Sequence, residues 1–107
     1  MEEITVILQK NVTAFLEDLI ILLYEKEYFG FESDAQEYVD NIYDFIEHNL
    51  PIFPCRNTPM NLLNLGSKYI FYKANQNTTW YIFFENQDNR YLVTFITNNY
   101  SEIIQFL

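Results

Sequence analysis

The sequence predicts one α+β domain over residues 1–107: a strand, an antiparallel helix hairpin, then a three-strand antiparallel meander, in the order β-α-α-β-β-β. Three observations predict it. Apolar residues recur at three- and four-residue spacing through 15–23 and 35–46, the pattern of two helices that each bury a stripe. Three β-branched and aromatic runs follow Gly66, separated by the turn-forming stretches NQNT and NQDN. Half of the 107 residues are hydrophobic, with only two glycines and three prolines, which is enough apolar surface for one core and rules out a disordered chain.

The first strand is residues 3–9, with Ile4, Val6 and Leu8 on one face. Asn11 or Thr13 then caps a helix whose buried stripe is Phe15, Leu16, Leu19, Ile20, Leu22 and Leu23, and Gly30 stops it. Ser33 and Gln36 have capping-box spacing at the start of a second helix. Its stripe is Ala35, Tyr38, Val39, Ile42, Phe45 and Ile46, with Glu37, Asp40, Asp44 and Glu47 in water and Pro51 closing it. Residues 51–67 form the longest irregular segment, with a helical turn at 60–65. Strands follow at 68–74, 79–85 and 90–97. In the middle one, Trp80, Ile82 and Phe84 line one face and Tyr81 and Phe83 the other. A strand apolar on both faces needs cover on both: the helices on one, and the long loop, the C-terminal tail or a partner on the second.

Composition narrows the function classes. The apolar run 19–23 falls far short of the roughly 20 residues that span a bilayer, and Met1-Glu2-Glu3 does not open a secretory leader. With one cysteine, Cys55, there is no internal disulfide, so the expected compartment is a reducing cytoplasm without membrane association. The net charge of −9 argues against a protein that coats nucleic acid. The charge is unevenly placed. Residues 1–50 carry twelve acidic and two basic side chains, whereas 51–107 carry three and four.

No phosphate loop, CxxC or HExxH motif is present, so no cofactor or metal is expected. His48 ends an acidic helix, where an imidazolium suits the negative terminus. Cys55 lacks an evident base. The few cations of the C-terminal half, Arg56, Lys68, Lys73 and Arg90, flank the strands and are expected to share a rim. There they either solubilise strand ends or grip phosphate beside Tyr69, Tyr72, Tyr91 or Tyr100.

The element order, with Gly66-Ser67-Lys68-Tyr69 opening one strand and Trp80-Tyr81-Ile82-Phe83-Phe84-Glu85 forming the next, resembles the RelE/ParE toxin superfamily of bacterial toxin–antitoxin modules. The resemblance implies a cytoplasmic, toxin-like protein that acts on the ribosome and mRNA or on DNA gyrase and is neutralised by an antitoxin protein. It places Lys68 and Tyr100 at the catalytic positions of the RNA-cleaving branch, with Arg56, Lys73, Arg90, Asn98 and Asn99 as RNA- or partner-binding residues. The sequence departs from that branch at Thr97-Asn98-Asn99, where the nucleases carry cations that stabilise phosphorane charge. A second class of function stays open beside the first: a non-catalytic interaction module of the same fold, or a degenerate toxin, including a homodimer.

Overall fold

A mixed five-stranded sheet, order β1-β5-β4-β3-β2, carries a helix hairpin on one face; the computed structural model describes residues 3–25, 32–52 and 54–107. The strands are β1 (Thr5–Leu8), β2 (Arg56–Asn57), β3 (Lys68–Lys73), β4 (Thr79–Gln87) and β5 (Arg90–Asn98), and the helices α1 (Lys10–Glu25) and α2 (Glu32–Asn49). The meander β3-β4-β5 is antiparallel, whereas β1 pairs parallel to β5, Thr5 opposite Arg90 and Leu8 opposite Val93. A parallel pair needs a crossover connection, and here α1, α2 and the meander supply it.

The expected order acquires one further strand. Residues 56–57 of the long loop pair antiparallel with β3, Arg56 opposite Tyr69 and Asn57 opposite Lys68, so the loop is not wholly irregular. Within the same loop a 3-10 turn occupies Met60–Leu62, shorter than the turn expected at 60–65. The meander strands end within two residues of their expected limits.

Both helix starts differ from expectation. α1 begins at Lys10, ahead of both candidate caps. The Thr13 hydroxyl donates back to the Lys10 carbonyl at 3.0 Å, while the Asn11 side-chain amide donates to the Thr94 carbonyl at 3.0 Å and ties α1 to β5. α2 begins at Glu32, ahead of Ser33, and Gln36 donates to Asp40 Oδ1 at 2.9 Å, one turn onward; the side chain of Ser33, the expected cap, lies outside the description. Gly30, the expected stop of α1, lies outside the described residues.

The core forms between the helices and the upper face of the sheet. Val12, Leu16 and Leu19 of α1 and Val39, Ile42 and Ile46 of α2 meet Ile70, Trp80, Ile82, Phe84, Val93 and Ile96. Fully burying such side chains contributes about 1.5–3 kcal/mol each before chain entropy is charged. Two members of the expected α1 stripe are not in this core: Phe15 is 39% exposed and Leu22 47%.

The second face of the sheet is covered from within the chain. Phe83 is buried against Tyr69 and Phe95, at ring-centroid distances of 5.6 and 6.0 Å. Over it lies the end of the long loop. Thr94, the extra residue of a bulge where Phe83 pairs with Phe95 but Phe84 with Val93, donates its hydroxyl to the Leu65 carbonyl. Ser67 is held by Glu85, through its hydroxyl to Oε1 and its amide to Oε2 at 3.0 Å. Farther along this face the C-terminal 3-10 helix, Glu102–Phe106, sets Ile104 and Gln105 beside Arg56, Tyr69, Phe71 and Tyr81. The loop and the tail thus both supply the cover that a two-faced apolar strand requires.

Candidate functional site

The strand registers decide which of the sequence-derived site residues meet. Lys68 is level with Phe84 on β4, and Asn98 is level with Trp80. Four residues of β4 separate those levels, about 13 Å at ~3.3 Å per residue. Tyr100 lies beyond Asn98, so Lys68 and Tyr100 stand at opposite ends of the sheet and do not converge on one atom.

Of the four residues expected to share a basic rim, Arg56, Lys68 and Arg90 lie toward one margin of the sheet and Lys73 at the other. Lys73 pairs with Thr79 at the far end of β3 from Lys68, and Arg90 pairs with Gln87 beyond the Lys68 end. Arg56 lies against the second face, its guanidinium carbon 5.2 Å from the Phe71 ring centroid, a cation–π contact.

Asn98, Asn99 and Tyr100 have structural work. The Asn99 side chain accepts from the Thr79 amide at 2.8 Å and donates to the Asn77 carbonyl at 3.1 Å, to which the Tyr100 hydroxyl also donates at 2.9 Å. Asn98 Oδ1 accepts from the Tyr100 amide at 3.0 Å. Asn75 completes the clamp by accepting from the amides of Asn77 and Thr78 at 2.8 and 2.9 Å. The Asn99 amide and the Tyr100 hydroxyl therefore hold the β3–β4 turn against the end of β5, while Asn75 braces the turn itself and Asn98 the chain just beyond β5. That arrangement suits the TNN sequence without any appeal to chemistry on phosphate.

His48 donates from Nδ1 to the Asp44 carbonyl at 2.8 Å, which suits its place in the last turn of α2. Cys55 is exposed, and no cluster of metal-ligating side chains occurs among the described residues.

Above the clamp the helices and the sheet leave a groove of ≈ 590 Å³. Leu19, Leu22 and Leu23 of α1 form one wall, Tyr38 and Trp80 the floor, and Asn75, Thr78, Asn98 and Tyr100 the polar rim. Trp80 donates its indole N–H to the Tyr38 hydroxyl at 2.9 Å and meets Phe15 edge-on at 6.1 Å between ring centroids. Burial raises the Tyr38 pKa above its ordinary 10.0, outweighing the Trp80 hydrogen bond, which favours the phenolate; Tyr72 and Tyr100 add to the rise. Tyr43, farther along α2, is raised by burial and by the charges of Glu17 and Asp40.

The groove continues across α1. A second depression of ≈ 350 Å³ shares Leu19 and Leu22 with it and adds Phe15, Asp18, Ile21 and Glu25. Phe15, Ile21, Leu22 and Tyr24 are between 39% and 55% exposed, while Glu17, Asp18 and Glu25 on the same helix face water. This is an apolar centre with an acidic border. Sequence reasoning assigned Phe15 and Leu22 to the core and so missed it. The available signal was the breadth of the apolar set: 19–24 is apolar at every position, more than one buried face can absorb.

Compared with family models, with curated proteins and with solved structures, the chain matches none of them. No helix among the described residues is long and apolar enough to cross a membrane.

Proposed function

We propose that this chain is a toxin-like protein of RelE/ParE-type architecture that works through protein contacts, and that the acid-bordered apolar side of α1 receives a basic amphipathic segment of an antitoxin. The supporting observation is the exposed row Phe15, Ile21 and Leu22, continuous with a groove floored by Trp80 and Tyr38. Apolar anchors around a pocket provide binding energy, and the surrounding carboxylates select a cationic partner and speed its approach. The parallel β1–β5 pair, the helix hairpin and the meander support the architectural part of the proposal.

RNA cleavage is the less favoured activity. A general acid or base must come within hydrogen-bond reach of the atom it serves, and Lys68 and Tyr100 lie at opposite ends of the strands. The cellular target of this protein-contact mechanism is DNA gyrase or a component of translation.

Growth on induced expression tests this reading. Expression of the wild type arrests growth, and co-expression of the small reading frame beside its gene relieves the arrest. Lys68→Ala and Tyr100→Phe stay toxic, whereas Leu22→Asp stays toxic but escapes relief. Harmless wild-type expression, or loss of toxicity in Lys68→Ala, overturns it.

A further inference from the structure

The two edges of the sheet are built differently. β2 is two residues long, carries Arg56 and lies between Pro54 and Pro59, features that discourage another strand from adding to an edge. β1 has none of them. From Ile4 to Leu8 it holds no charge and no proline, and it stands last in the sheet. The Thr5 amide donates to the Asn89 carbonyl at 2.8 Å and the Gln9 amide to Val93 at 2.9 Å, so alternate residues turn inward toward β5. The main-chain groups of Ile4, Val6 and Leu8 accordingly point out of the sheet. Ile4 and Ile7 are 52% and 54% exposed.

We propose that β1 is a self-pairing edge, which a second copy of this chain extends by antiparallel addition about a two-fold axis at Val6. Only registers in which outward-pointing residues meet each other make ladder hydrogen bonds, which leaves those centred on a residue and excludes those centred between two. Centring on Val6 pairs Ile4 with Leu8 of the second copy, Thr5 with Ile7, and Val6 with its own equivalent. Every position from 4 to 8 then meets an apolar or threonine side chain, and Glu3 meets Gln9, so no like charges oppose. An isologous interface needs a self-complementary patch, and an uncharged run from 4 to 8 in which each residue meets a compatible one across the centre is such a patch. The neighbouring register, centred on Ile7, sets Ile4 against Lys10 and gains less. Antiparallel neighbours share a face, so the two helix layers come to lie side by side on one continuous sheet.

Thr5 and Ile7 turn their main-chain groups toward β5, so across the two-fold they form a close, non-hydrogen-bonded pair, with Cα atoms about 4.5 Å apart and within disulfide range. The test uses the full chain with Cys55→Ser to remove the exposed thiol. Under mild oxidation, Thr5→Cys/Ile7→Cys forms a covalent dimer, and either single cysteine variant forms at least tenfold less. Without cysteines, the wild type shows a concentration-dependent dimer by sedimentation, which Ile7→Lys abolishes with unchanged circular dichroism and Leu22→Asp leaves intact. A wild type that sediments only as monomer, a dimer that survives Ile7→Lys, or single variants that cross-link as well as the double each overturns the proposal.

Discussion

Gly66 shows how tightly one residue can be specified. A Cβ built there meets Thr94 Oγ1 at 2.7 Å, the Phe84 amide nitrogen at 2.9 Å and Phe83 Cβ at 3.0 Å. Two of these neighbours are a main-chain atom and the Cβ of a fully buried residue, so neither yields cheaply. Gly66→Ala is expected to cost roughly 1–3 kcal/mol, the range for overpacking a filled core, read as a lower midpoint in urea denaturation. Tyr38 carries a different sensitivity. Its folded pKa is raised above 10.0 because burial penalises the phenolate. The fold therefore holds the proton more tightly than the unfolded chain does. The stabilisation is fully present below the unfolded pKa and fades as pH rises above it through the folded value. Denaturation midpoints across the alkaline range should fall more steeply for the wild type than for Tyr38→Phe. At neutral pH that variant should itself lose about 1 kcal/mol, having left the Trp80 indole N–H without its acceptor. Asn98 and Asn99 teach a further point at this scale. Their identity was visible in the sequence, and the clamp that Asn99 places on the β3–β4 turn was not, because it depends on a contact between Asn99 and Asn77.

α1 divides into two sides with opposite mutational behaviour. Leu16 is fully buried, and Leu16→Ala should cost roughly 2–5 kcal/mol with visible loss of the cooperative transition. Leu22 is 47% exposed, and Leu22→Asp should leave the urea midpoint within about 0.5 kcal/mol of wild type, as surface changes generally do. The sequence pattern made the helix itself plain, along with α2 and the three long strands. Period 3.6 and period 2 are local signals, and turn residues between the runs are local too. What it did not reveal was the side of α1 left without cover. Hydropathy marks Phe15, Leu16, Leu22 and Leu23 alike, and only the placement of α2 and the sheet determines which of them are enclosed. β2 was invisible for a similar reason. A two-residue strand has no period, and it exists only because the loop passes beside β3. The expected basic rim lost one member to register: Arg56, Lys68 and Arg90 lie toward one margin of the sheet, but an antiparallel meander sends the two ends of β3 to opposite margins, so Lys73 stands apart.

At the scale of the whole molecule, charge and shape divide the work. Acidic side chains concentrate on the N-terminal half, and the helix hairpin is its main structural component, so one face of the molecule carries most of the negative field. The opposite face is closed by the long loop and the C-terminal 3-10 helix. Partner binding through α1 should consequently weaken as salt rises, because screening removes the attraction of the bordering carboxylates while leaving the apolar contacts in place. The central claim is that the α1 side, with Trp80 beneath it, is the binding surface. Trp80 is the single tryptophan and part of the groove, so its emission reports directly on occupancy. The decisive measurement is a fluorescence titration of the purified chain with the product of the neighbouring reading frame, run in parallel on Leu22→Asp and Lys68→Ala. A saturable shift in the wild type and in Lys68→Ala, weakened at least ~30-fold in Leu22→Asp as expected for a loss of about 2 kcal/mol at an anchor, is the predicted result. Wild-type affinity in Leu22→Asp, or loss of binding in Lys68→Ala alone, would contradict it.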